Sequence, residues 1–125
     1  MLTNVAEVLT GLIGAGIIVI GVREFWVPQS AAGFGIPGTR TEDPNFRAWL
    51  GVKACRDIAC GIFMFILLAA ATPHLLGWFM LAAAAVPVGD ALIVLRSKGP
   101  KGVAYGVHAA TAAVMLVISV LLLVA

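Results

Sequence analysis

Charge is scarce in this chain: only 11% of its 125 residues are Asp, Glu, Lys or Arg, and the formal net charge is +2. No basic stripe with interleaved aromatics is present to follow a phosphate backbone, so nucleic acid is excluded as a partner. Cysteine is nearly missing as well. Cys55 and Cys60 are five residues apart and point in different directions on one helix, without the C-x-x-C spacing of membrane thiol oxidoreductases, so they read as apolar filler. Histidine occurs twice, and His74 and His108 fall on opposite membrane sides, which leaves neither bis-histidine haem ligation nor a zinc triad. Trp26, Trp49 and Trp78 do not amount to a cofactor box, so no metal and no cofactor is expected. Gly33-Phe34-Gly35-Ile36-Pro37-Gly38 has the look of a phosphate-binding loop, but it lacks a preceding strand and a following Lys-Ser or Lys-Thr pair. At 12.9 kDa there is room for one small bundle and no separate soluble domain.

What the chain has instead is hydrocarbon. It is 62% hydrophobic with a mean hydropathy of +1.07, far from the balance of a soluble domain. Val8 to Val22 and Leu75 to Gly89 carry no charge, and Gly102 to Ala125 carries no Asp, Glu, Lys or Arg. With Trp49 to Ala71 they give four candidate spans near the roughly 20 residues a bilayer requires. The expectation is an all-α, integral membrane, antiparallel four-helix bundle. A single domain covers 1–125, with helices at about 5–26, 46–71, 73–95 and 101–123. No basic stretch precedes the first apolar run, and Glu7 stands where Lys or Arg would open a signal peptide, so that segment is expected to stay as a helix.

Asn4 and Glu7 have the spacing of a capping box for the first helix. Gly11, Gly14, Ala15 and Gly16 give that helix a narrow surface for close approach of another backbone. Residues 27–45, rich in Gly and Pro, argue against regular structure and form either a surface linker or a lid or re-entrant flap that lays Phe34 and Ile36 over the bundle. Asp43-Pro44 and Thr72-Pro73 each read as an N-cap followed by a first-turn proline. Pro87 predicts a bend in the third helix, and Gly99-Pro100 separates it from the fourth. Arg23, Arg40 and Arg47 flank the first connection and Arg96, Lys98 and Lys101 the third. Both therefore face the cytosol and both termini lie outside it, in either the plasma membrane or the endoplasmic reticulum.

That topology gathers the polar residues at one end. Glu24, Lys53, Arg56, Asp57, Asp90, Tyr105 and His108 share one half of the bundle, while the other half is nearly all apolar. At about 1.5 Å per residue, Asp57 lies about 16 Å along its helix from Phe46, and Asp90 and His108 lie about 9 to 11 Å from Arg96 and Lys101. Lys53, Arg56, Asp57 and Cys60 share one broad helical face, and Tyr105, His108 and Met115 trace another. Trp78 and Asp90 belong to the inner wall of the third helix. Charge retained at this depth points to a ligand or a reaction, although Arg56 pairing with Asp90 and Lys53 with Asp57 would also lower the cost of burial. Arg56, Asp57, Asp90 and His108 are the catalytic candidates. Glu24, Lys53, Trp78, Tyr105 and Met115 are the ligand-binding ones, with Tyr105 equally suited to anchoring at the interface.

The run Gly51-Val52-Lys53-Ala54-Cys55-Arg56-Asp57-Ile58-Ala59-Cys60-Gly61, with Gly21-Val22-Arg23 and Gly89-Asp90, resembles the signature of a family of small four-helix integral membrane proteins of fungi and bacteria. The resemblance implies architecture and assigns no reaction. Related-looking proteins occur beside natural-product biosynthesis genes, and membrane terpene cyclases, which are much longer, also place acidic residues inside helical bundles. The residues themselves suggest a protein that binds a lipophilic small molecule among membrane lipids. It would act as an acid–base enzyme of isomerase or cyclase type, Asp57 or Asp90 delivering a proton, Arg56 stabilising negative charge and His108 relaying it. The rivals are a proton-coupled transporter working as a homodimer or other oligomer, and a noncatalytic membrane assembly subunit.

Overall fold

The computed structural model describes all residues from Met1 to Ala125 and is all-helical, with no strand. Three stretches, Leu2–Trp26, Pro73–Arg96 and Lys101–Val124, are long and apolar enough to cross a bilayer, which marks a membrane protein. Their outward faces agree: Val8, Leu12, Val19, Leu92, Val117 and Val120 are all exposed, a surface suited to acyl chains and not to water.

Helix α1 spans Leu2–Trp26 and α2 spans Pro44–Ala70. Two close approaches join them. A Cβ on Gly61 would stand 2.6 Å from the Gly14 carbonyl, and one on Gly21 would stand 2.8 Å from the Ala54 carbonyl. Position 14 faces 61 and position 21 faces 54, so the two helices run in opposite directions with their backbones nearly in contact. Gly16 meets nothing within 4 Å, so the narrow surface is smaller than the cluster of small residues suggested.

The third expected span is two helices, α3 at Pro73–Ala83 and α4 at Ala85–Arg96. Pro87 is the cause: it has no N–H to give the Ala83 carbonyl, and the helix breaks at Ala84, one turn ahead of the ring. The fourth is also interrupted. Lys101–Val103 forms α5, Ala104–Ala109 winds as a π-helix, and α6 continues over Ala110–Val124. The third span is interrupted where Pro87 led a bend to be expected, whereas the interruption of the expected fourth helix is a correction. A buried hydrogen bond from Ser119 Oγ to the Gly77 carbonyl, 2.9 Å, ties α6 to α3.

Both proline-marked starts are capped by side chains. Asp43 accepts from the Asn45 N–H at 3.1 Å, and Thr72 accepts from the Leu75 N–H at 3.2 Å. The capping box at Asn4 is not formed, because the helix extends backward to Leu2 and places Asn4 and Glu7 inside its first turns. Nor is the first connection wholly irregular. Pro28–Phe34 winds as a 3-10 helix, ended by Gly35 at φ +106°. A side chain at Gly35 would also press on Val94 and Val103, and one at Gly99 would run into the Gly35 carbonyl. These glycines let the connection dock against the α4–α5 turn.

Ala6, Met64, Leu76, Met80, Ile118 and Leu122 belong to the buried apolar cluster, which fills the half of the molecule near the α2–α3 turn. The other half is where the polar groups gather.

Candidate functional site

Lys53 organises the polar half. It sits in the α2 face of Lys53, Asp57 and Cys60, spaced i, i+4 and i+7, so that all three point the same way. Its ammonium donates to Asp57 Oδ2 and to Glu24 Oε1, both at 2.7 Å, joining α2 to the end of α1. It also stands 5.5 Å from the centre of the Phe34 ring. One cation therefore serves two carboxylates and an aromatic face.

A second pair closes the opposite wall. His108, held by the π-helical segment, turns one ring nitrogen to the Phe34 carbonyl and the other to Asp90 of α4. The Nε2–Phe34 O distance is 2.8 Å and the Nδ1–Asp90 Oδ2 distance is 4.0 Å. A carbonyl can only accept, so Nε2 carries a proton. Nδ1 then faces the Asp90 carboxylate at a separation too long for a direct hydrogen bond, which leaves room for a substrate atom or a water between them. The Phe34 ring packs on the imidazole with centroids 4.4 Å apart.

Between these walls lies a cavity of about 500 Å³, and a neighbouring lobe of about 390 Å³ shares Glu24, Phe34, Lys53, Asp57, Cys60 and Asp90 as wall. Those volumes suit a small organic molecule. Ile13, Ile17, Val86 and Met115 make much of the remaining wall apolar. Asp57 and Asp90, two of the four catalytic candidates, line both lobes, and His108 lines the larger one. Glu24, Lys53 and Met115 join them as expected ligand contacts.

Three expected site residues depart from their expected places, and one residue read as filler joins the wall. Arg56 does not pair with Asp90: it is exposed, it touches only the smaller lobe, and it makes no ion pair. Its neighbour Asp57 points inward, and one residue is about 100° of helical rotation, so the two cannot share a bearing. Trp78 is exposed near the far end of α3 and donates to His74 Nε2 at 3.3 Å. Tyr105 is exposed although His108 is buried, because the wider π winding changes the angle between them. Cys60 is cavity wall and not mere filler.

The residue that sequence reasoning placed only as part of a flap is Phe34. Its signal was present in the glycines on either side, which free the backbone to turn the ring and the carbonyl toward His108. Thr111, one helical turn beyond His108, also lines the larger lobe, and its hydroxyl is occupied by the Val107 carbonyl at 2.7 Å.

No curated protein and no solved structure matches the chain. One family model does match, over residues 14–122, a span that takes in every residue of the cavity wall except Ile13. The chain, with its two carboxylate-bearing walls, therefore belongs to the family described as a domain of unknown function, DUF4267.

Proposed function

We propose that the protein binds a small lipophilic molecule within the membrane and rearranges it by acid–base chemistry of the isomerase or cyclase type. The observation that supports this reading is the facing of Asp90 and His108 across 4.0 Å on the wall of a cavity that joins a polar cluster to an apolar surface. Two groups so placed can give a proton to one atom of a substrate and take one from another, which moves a double bond or closes a ring with no change of oxidation state. Asp57, tied down by Lys53, acts in this scheme as a fixed charge that orients the substrate. Arg56 has no part in the proton transfer.

In this reading the helices form an antiparallel four-span arrangement in which 73–96 and 101–124 each act as one span. The placement of Arg23, Arg40, Arg47, Arg96, Lys98 and Lys101 sets the cavity half toward the cytosol and both termini away from it. A lipophilic substrate enters from the bilayer, and its polar end meets the carboxylates.

The experiment is an untargeted comparison of lipophilic metabolites between cells carrying the wild type and Asp90→Asn at matched protein abundance. Accumulation of one compound and loss of an isomer of it is expected. An unchanged profile at equal abundance removes the enzymatic reading. A second reading, proton-coupled movement of the same class of molecule, draws on the shared Lys53: protonating either carboxylate would release half of its hold. Proton-driven uptake into liposomes, lost in Asp57→Asn, would favour that reading over chemistry.

A further inference from the structure

Glu24 ends the α1 contribution to the cavity, and its side chain is only 6% exposed. Oε1 is held by Lys53, but Oε2 is buried with no donor of the protein within reach, although Glu24 lines both lobes. A buried carboxylate oxygen is rarely left in that condition, because the hydrogen bonds it gave up in water are not replaced. The donors buried beside it are already committed. Lys53 is divided between two carboxylates, and the His108 Nε2–H goes to the Phe34 carbonyl. Arg23 lines the larger lobe and Arg56 the smaller, but both are exposed and neither pairs with Glu24, Asp57 or Asp90. Apart from these two exposed guanidinium groups, the wall holds three carboxylates around one ammonium. It is short of both a donor and a positive charge.

We propose that the cavity takes a lipophilic amine, toward whose ammonium the Glu24 carboxylate turns Oε2 to accept a hydrogen bond and whose apolar body lies along Ile13, Ile17, Val86 and Met115. This rests on the small-molecule-binding reading above and narrows it to one class of ligand. A hydroxyl would supply the donor but leave the charge uncompensated, and a carboxylic acid would add to the negative excess. An ammonium answers both needs at once, and a charge-assisted hydrogen bond is about twice as strong as a neutral one.

Cys60 gives a direct readout, since it lines both lobes and the only other thiol, Cys55, is exposed. In a Cys55→Ala background purified in dodecyl maltoside, the rate of Cys60 modification by the neutral reagent methyl methanethiosulfonate is measured with n-decylamine, n-decanol or neither. The amine is expected to protect at about tenfold lower concentration than the alcohol, the fold-change corresponding to the charged bond. Glu24→Gln should abolish that preference while leaving the rate without additive within about twofold of the parent, a sign that the cavity is intact. If that rate rises sharply, Glu24→Asp takes its place: it keeps the charge but retracts it by one methylene, and the preference should fall.

Equal protection by amine and alcohol would overturn the amine assignment and leave lipophile binding standing. Protection by neither, with Cys60 still reactive, would remove the binding reading beneath it. An amine preference that survives both Glu24 substitutions would place the ammonium elsewhere and refute the role of Glu24. The same assay in nanodiscs distinguishes two sources of the ammonium. Slower labelling in phosphatidylethanolamine than in phosphatidylcholine, which has no N–H to give, assigns a lipid headgroup; equal rates, with protection by added decylamine, assign a free amine.

Discussion

Removing the Lys53 ammonium should be more damaging than removing everything it touches. In Lys53→Met, Glu24 and Asp57 lose two charge-assisted hydrogen bonds of 2.7 Å, each worth about 1.5–3 kcal/mol. Lys53 is itself 34% exposed, and solvent replaces part of what it gave, so a loss of about 3 kcal/mol is expected. Adding Glu24→Met and Asp57→Leu removes the orphaned charges and should restore stability to within about 1 kcal/mol of wild type. The assay is denaturant unfolding in dodecyl maltoside, followed by the cooperative loss of helical circular dichroism. A Lys53→Met variant within about 0.5 kcal/mol of wild type, or a triple variant as weak as the single one, would refute the claim that the ammonium exists to compensate two buried acids.

Gly61→Ala should cost about 1–3 kcal/mol in the same assay, because its Cβ would stand 2.5 Å from Ile18 Cγ1 and 2.6 Å from the Gly14 carbonyl; Gly16→Ala, with open space, should be neutral within about 0.5 kcal/mol. Ser119→Ala removes the buried side-chain bond between α6 and α3, though the Gly77 carbonyl keeps its place in the α3 ladder, and should cost about 1 kcal/mol. His108→Leu removes the tether on the Phe34 carbonyl, so amide exchange across 28–35 should quicken by about fivefold to tenfold, while α6 keeps its protection. His108→Gln retains an N–H at that end and should restore slow exchange without restoring acid–base turnover.

The polar half of the molecule was legible because its cause is the order of the helices along the chain: α1, α2, α4 and the π segment bring Glu24, Asp57, Asp90 and His108 to one side. Asp43-Pro44 and Thr72-Pro73 were legible because capping is local chemistry. Arg56 and Tyr105 were misplaced for a different reason. Membership of a charged helix does not fix the angle at which a side chain leaves it, and for Tyr105 that angle depends on a π turn for which the residues Ala104 to Ala109 gave no recognised mark. Trp78 was assigned to the inner wall by periodicity, yet it lies 12 residues before Asp90, about 18 Å along the helix axis, beyond the reach of the site. The Phe34–His108 contact joins residues 74 apart through a glycine-bounded turn, and nothing in the local pattern of either segment specifies the other.

The π segment carries a consequence for comparison among relatives. A π turn holds one more residue than the α turn it replaces, so a chain shorter by a single residue between Gly102 and Ala110 would wind as continuous α-helix. Because the wider turn absorbs its extra residue, the helix on either side would keep its bearing, and only the side chains inside the turn, His108 among them, would swing about the axis. The length of this stretch, counted without any structure, thus bears on how a family member aims its histidine toward the aspartate of α4, while the apolar faces beyond the turn stay where they are.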